Sequence, residues 1–348
     1  MLHVGVIGCG KIAQTRHLPE YMAHPGVCVS GLFDLNAERA ADLAARYHAS
    51  AYESYQALLA DPQIDAVSVC TANASHAEIA CAALEQGKHV LCEKPMATTL
   101  ADCERMVACA KHNKRYLMID QNQRLAAAHI KARQLLRAGA IGRVLSFRTS
   151  FGHGGPERWS IDGGAAPRNL WFFDQKRAAM GALADLGLHK TDLIQFLTGQ
   201  TIIEVTAVLD TLDKKDGEGR PISVEDNAFA IYRLDGGAIG TMTASWTHYG
   251  REDNSTVLYG SEGMLRIYDG QQHALVLIGQ DGAERCYDAE AIQTNENQTD
   301  SGIIERFVAC VEHPELAELT GESVLKAMRA VFACLESSRT GRGIRVNE

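Results

Sequence analysis

Over the first 120 residues, short apolar runs alternate with amphipathic helical patterns, and this alternation restricts the fold more than any other feature of the chain. "HVGVIG" (3–8), "VCVSGLFD" (27–34), "DAVSVCTA" (65–72), "HVLCE" (89–93) and "RYLMID" (115–120) read as strands. Helical patterns lie between them: 11–25, where Pro19 is expected to kink or split the helix, then 36–48, 54–62, 76–87 ending on Gly87, and 99–113. Strand–helix repetition of this kind implies a parallel sheet with right-handed crossovers and helices on both faces.

At 348 residues the chain is long enough for about two domains, and the pattern changes near residue 122. Beyond one further helix come longer alternating strands, in 143–152, 202–210, 227–248, 255–269 and 273–279. "LDGGAIG" (234–240) and "YGSEGML" (259–265) read as hairpin turns with Gly at positive φ. The predicted class is therefore an α/β N-terminal Rossmann domain with a doubly wound parallel sheet (1–122). An α+β C-terminal domain with a large, mostly antiparallel open sheet follows (123–348). The closing helix, about 322–339, carries an apolar stripe at Leu325, Met328, Val331, Phe332 and Leu335 and is expected to pack back on the first domain. "GHGGPERWSIDGGAAPR" (152–168) reads as a long loop, of the kind that covers a site or is mobile. "DKKDGEGRP" (213–221) reads as a solvated hairpin tip.

Charge and cysteine content narrow the partners. Lys plus Arg number 34 against 43 Asp plus Glu, a net charge of -9, which argues against nucleic acid and anionic membranes. No apolar run reaches the roughly 18 residues of a membrane span, and "MLHVGVIG" has none of the segments of a secretory signal. Ten scattered cysteines form no CxxC pair. That pattern fits a reduced, cytoplasmic protein without a disulfide framework, and no metal site is expected.

Gly8-Cys9-Gly10-Lys11-Ile12-Ala13 closes the first strand and opens the first helix. Gly8 permits a tight turn, Gly10 lets phosphate approach the backbone, and Ala13 is small enough for helix–strand contact. The helix N-terminus then offers N–H groups and a positive dipole end to a pyrophosphate. Asp34 ends the second strand, 21 residues past Ala13. A carboxylate there accepts from the adenosine ribose hydroxyls and repels a 2′-phosphate, which favours NAD over NADP. The plainer reading makes the glycines an ordinary turn and Asp34 a helix cap.

Ligands of doubly wound sheets lie beyond the carboxyl ends of the strands. "CTANASH" (70–76) and "CEKP" (92–95) therefore open onto the same rim as the glycine loop. Lys94 is either a salt-bridged surface residue or a proton-handling group aimed into that crevice. Pro95 holds it out of helical geometry and is a candidate for a cis bond. Far along the chain, Asp185 and His189 stand i, i+4. They are either a carboxylate fixing the tautomer of a general base or a pair on a solvated face.

Taken together, the glycine loop, "TANASH", "EKP", "GAIGRV", D185-L-G-L-H189 and "VEDNAFAIYRLDGGAIG" resemble the Gfo/Idh/MocA family of oxidoreductases over nearly the whole chain. The resemblance implies that Lys94, Asp185 and His189 form the catalytic group. It places Thr71, Asn73, His76 and Glu93 with Lys94 at the cofactor, and makes Asp192 structural. It also implies an NAD-dependent dehydrogenase acting on the CH–OH group of a small polyol or sugar. A redox glycosidase and a non-catalytic dinucleotide-sensing regulator are the alternatives on the same fold. Arg124, His153, Arg158, Trp159, Arg168 and Trp171 either line the substrate pocket or are structural. Ala179-Met180-Gly181 stands where a glycine triplet is usual, which suggests a differently shaped pocket wall. A homodimer or homotetramer through the C-terminal sheet is expected.

Overall fold

Val4, Val6, Ile7, Val67, Val69, Val90 and Leu91 are all without exposed surface, as strands covered on both faces require. The computed structural model describes residues 1–158, 170–270, 272–289 and 300–346. Among these, two compact units are found: one holds 1–122 and 300–325, the other 123–158, 170–270, 272–289 and 326–346.

The first unit is built on six parallel strands: β1 (Leu2–Ile7), β2 (Val27–Phe33), β3 (Ser50–Ala51), β4 (Ala66–Val69), β5 (His89–Cys92) and β6 (Leu117–Ile119). Their order is β3-β2-β1-β4-β5-β6, so the winding reverses between β1 and β4. The five expected strands are present; β3, two residues long, adds an edge that sequence periodicity did not reveal. Helices α1 (Leu18–Ala23), α2 (Ala37–Tyr47), α3 (Tyr55–Ala60), α4 (His76–Glu85) and α5 (Leu100–Asn113) form the crossovers. Side-chain caps start three of them: Asn36 accepts from the N–H of Arg39, Ser54 from Ala57 and Thr99 from Asp102. Helix α1 follows a π turn, Ala13–His17, closed by the bond from Leu18 N to Ala13 O. Pro19 thus does not break the helix but follows a widened turn.

In the second unit nine strands form one sheet. They are β7 (Val144–Gly152), β8 (Ile202–Asp210), β9 (Asn227–Leu234), β10 (Ile239–Ser245), β11 (Thr256–Gly260), β12 (Gly263–Ile267), β13 (Leu275–Gly279), β14 (Glu284–Tyr287) and β15 (Ile344–Arg345). The order is β14-β13-β12-β11-β7-β10-β9-β8-β15, antiparallel except for β7 beside β10. Along β9, Ala228, Ala230, Tyr232 and Leu234 are buried, whereas Phe229 and Ile231 are exposed. On the buried face the Tyr232 hydroxyl meets Thr191 Oγ1 at 2.8 Å and Cys334 Sγ at 3.4 Å. The β9–β10 turn has Gly237 at φ 87°, as expected. At β11–β12 the reason for glycine is different: a Cβ at Gly260 would lie 2.0 Å from Ile141 O, and one at Gly263 2.4 Å from Ile278 O. The segment 213–221 is not wholly solvated either. Lys214 is buried and donates to Gly154 O (2.7 Å) and Glu157 Oε1 (2.6 Å). Among the described residues no helix is long and apolar enough to cross a membrane.

Candidate active site

Gly8 adopts φ 92°, and a Cβ there would sit 2.7 Å from the carbonyl carbon and oxygen of Cys70, so only glycine fits. This contact joins the ends of β1 and β4, the two strands flanking the winding reversal. Gly10 is the opposite case, since a Cβ there meets nothing within 4 Å and the backbone stays open to an approaching group. Ala13 is fully buried where helix meets sheet, and Lys11 and Ile12 form the first turn. Asp34 accepts from Cys9 N through Oδ2 (2.7 Å) and from Asn36 N through Oδ1 (2.8 Å), with Arg39 at 3.6 Å. An ionised carboxylate has about four acceptor positions, so capacity for ribose hydroxyls remains. A tight turn, an open glycine and a carboxylate at this reach fit a dinucleotide.

The bond between Lys94 and Pro95 is cis. Glu93, expected at the cofactor, turns its carboxylate inward. Oε1 accepts from His17 Nε2 at 3.0 Å, Oε2 from Lys94 N at 3.2 Å, and Arg16 lies 3.9 Å away. Burial pushes this acid up, but the His17 bond and the neighbouring positive charges outweigh it and hold the group below its ordinary range. Asp120, at the end of β6, is paired with Arg16 at 2.9 Å, and burial followed by the charge of Glu93 raises it. Ligand atoms of His17, Glu93 and Asp120 lie within 4.8 Å of one another. The Arg16 guanidinium already supplies the countercharge a cation would bring, so the cluster is an ion-pair network.

His76 is also placed differently from expectation. It has no exposed surface, and its ring nitrogens face the carbonyls of Pro95 (Nδ1, 2.8 Å) and Thr71 (Nε2, 3.0 Å). Burial lowers its proton affinity against two carbonyls that favour the charged ring. Its ring lies between the loop that follows β4 and the one that follows β5. Thr71 Oγ1 accepts from Ser75, and Asn73 opens the 3-10 turn Asn73–Ser75.

In the second unit, Asp185 lies within a π turn (Leu183–Gly187) and His189 in the first turn of the helix Leu188–Thr198. The regular i, i+4 geometry expected of the pair is thus widened. Asp185 Oδ2 accepts from Trp246 Nε1 at 2.9 Å. The His189 ring is buried, 6.1 Å from Phe151, which excludes the solvated-face reading for the imidazole. Glu225 Oε1 accepts from Gly181 N (2.8 Å) and Leu183 N (3.1 Å) at the start of this turn, and burial pushes its pKa up to about 7. A Cβ at Gly181 would lie 1.9 Å from Glu225 O. Ala179 holds φ 66°, and Met180 is buried.

Of the substrate candidates, Arg124 is bound to Asp192 through both carboxylate oxygens, an internal ion pair. Trp171 stacks on Phe172 at 3.9 Å and is partly exposed; Trp159 and Arg168 lie outside the described residues. Sequence reading missed Arg16, His17 and Asp120. Asp120 left a signal, since like Asp34 it ends an apolar strand with an acid. It also missed Lys190, a fully buried lysine donating to Asn254 O at 2.9 Å, which burial pushes down to about 7.

Comparison with known proteins gives a consistent picture. Residues 2–121 match an oxidoreductase family with an NAD-binding Rossmann fold, and residues 129–266 match the GFO/IDH/MocA C-terminal domain. Levoglucosan dehydrogenase of Pseudarthrobacter phenanthrenivorans is 31% identical over 290 residues, 76% of this chain and 73% of that one. Myo-inositol 2-dehydrogenase of Thermotoga maritima is 24% identical over 351 residues, covering 100% and 99%. A solved levoglucosan dehydrogenase in complex with NADH superposes with a TM-score of 0.85 at 26% identity, covering 100% and 99%.

Proposed function

Because the chain belongs to the Gfo/Idh/MocA family of NAD-binding oxidoreductases, we propose that it moves a hydride between NAD and a secondary alcohol or ketone of a cyclic polyol, sugar or sugar derivative. The observation that carries this reading is the glycine turn, with Gly8 locked, Gly10 open and Asp34 at the end of β2. The named relatives support the substrate class.

Bound NAD supplies the hydride acceptor, so no metal is needed for the redox step. Gly10, Lys11 and Ile12 would receive the pyrophosphate on the turn that Gly8 permits and Ala13 packs against the sheet, and Asp34 would accept from the ribose hydroxyls. Asp34 would meet a 2′-phosphate with like charge, which favours NAD. His189 takes the hydroxyl proton as the carbinol carbon loses its hydride, and returns that proton in the reverse direction. Asp185 supports the imidazolium. Lys94 donates to a substrate oxygen and stabilises developing alkoxide charge, a contribution of about 3 kcal/mol. The ten free cysteines fit a reducing compartment, and the cytoplasm is the location this reading gives.

The test is absorbance of NADH on incubation with NAD and a panel of inositols, aldoses, lactones and levoglucosan. Turnover on at least one is expected, with Lys94→Ala slower by roughly 100-fold and still binding NADH. Tight NAD binding with no turnover on any member would overturn the proposal.

An open sheet face supports assembly into a homodimer or homotetramer. Val208, Phe229, Ile231 and Ile239 stand exposed on β8, β9 and β10, with Phe229 directly opposite Val208. A second copy laid on this face would bury them. Ile231→Lys should lower the mass measured by sedimentation equilibrium; an unchanged mass would refute this interface.

A further inference from the structure

We propose that His17 and His76 are positioning residues for Lys94, struts that fix the backbone on either side of it; this rests on the reading of Lys94 as the group that polarises the substrate oxygen. A lysine ammonium on four flexible carbons is aimed only as well as the backbone carrying it. Two buried imidazoles bracket that backbone. Before Lys94, the Glu93 carboxylate accepts from His17 Nε2 at 3.0 Å and, through its other oxygen, from the backbone N–H of Lys94 at 3.2 Å. After it, the Pro95 carbonyl accepts from His76 Nδ1 at 2.8 Å. The far nitrogen of His17 is fixed on β4, where Nδ1 meets Ser68 Oγ at 3.1 Å, itself held by Tyr21; His76 Nε2 only faces Thr71 O, at 3.0 Å, since a neutral ring that donates to Pro95 has no second proton to give. Neither ring has exposed surface. Burying two imidazoles costs desolvation energy that apolar residues would not incur, so the bonds they make carry their purpose.

The two rings face the Lys94 segment with opposite nitrogens, which gives a crossed test. An Asn amide nitrogen overlays His Nδ1, and a Gln amide nitrogen overlays Nε2. At position 76, His76→Asn keeps the Pro95 bond and should hold kcat within about three-fold, whereas His76→Gln should lose about ten-fold or more, as sub-ångström misplacement does. At position 17 the order inverts: His17→Gln is tolerated and His17→Asn is not. NADH dissociation constants, from fluorescence, should stay within about two-fold in all four, so that loss falls on kcat. The activity assay uses NAD with levoglucosan or myo-inositol, whichever is turned over.

A second readout needs no turnover. Reductive 13C-methylation labels the lysines of the full-length protein, and the Lys94 resonance is assigned by its absence in Lys94→Arg. That resonance should move in His76→Gln and His17→Asn and stay in the other two. Should one protein fail to fold, the pair at the other position carries the test. Asn and Gln acting alike at a position, or a Lys94 signal that never moves, would overturn the proposal. A signal following the crossed pattern without any change in kcat would leave the struts standing and remove Lys94 from the chemistry.

Discussion

Two helices carry candidate chemistry, and each is entered through a π turn, Ala13–His17 in the first unit and Leu183–Gly187 in the second. The causes differ. In the first, Pro19 has no N–H to give Thr15, so a regular α register cannot be completed there. The widened turn lets Arg16 and His17, adjacent in sequence, both point inward. In the second there is no proline. Gly187 lies so close to its surroundings that a Cβ would come within 3.0 Å of Leu183 Cδ1 and 3.3 Å of Ala244 Cβ, while Glu225 caps the entrance. One turn is dictated by local covalent structure, the other by packing against a sheet. π turns often accompany functional sites, and here the same device comes from unrelated constraints.

The largest expected effect separates the two turns by chemistry. Asp185→Asn should lower kcat by about 100-fold or more and leave NADH affinity unchanged by fluorescence titration. If turnover survives, the second turn is structural like the first. Next in size is a pH effect confined to the second turn. Glu225 is held at about 7 by burial, above its unfolded value, so the fold binds its proton more tightly. Its contribution to stability is complete at low pH and lost as pH rises through 7. Glu225→Gln keeps the acceptor for Gly181 and Leu183 without the charge. The Tm of this variant minus that of the parent should therefore grow from pH 5 to pH 8; a constant difference would show that the carboxyl is not protonated in the fold. The smallest effect belongs to Pro19→Ala, which restores the missing N–H. Stability should change by about 1 kcal/mol or less, and a crystal structure should find the first turn relaxed to α. A persistent π turn would mean that packing, not proline, sets both.

What was legible in the chain follows the same division. The parallel sheet, the locked Gly8 and the acid at Asp34 were readable because strand period, positive φ and residue spacing are local properties. The strands β3, β14 and β15 were not, since runs this short carry little or no period. Nor was the inward network, because Arg16 meets Asp120 across 104 positions and His17 meets Glu93 across 76. Nor were the inward bonds of Glu93 and His76, which the family resemblance places at the cofactor. At Gly260 and Gly263 the residue type was read correctly for the wrong reason, close approach standing in for backbone handedness.

The bond from Cys9 N to Asp34 has a practical consequence for redesign. The acid that would discriminate between coenzymes is also a strut of the phosphate loop. Replacing it with a small neutral residue to admit a phosphorylated coenzyme would release that loop, and affinity for both forms would fall together. Asp34→Asn, which keeps an oxygen for Cys9 while discarding the charge, is the change that separates selectivity from scaffold.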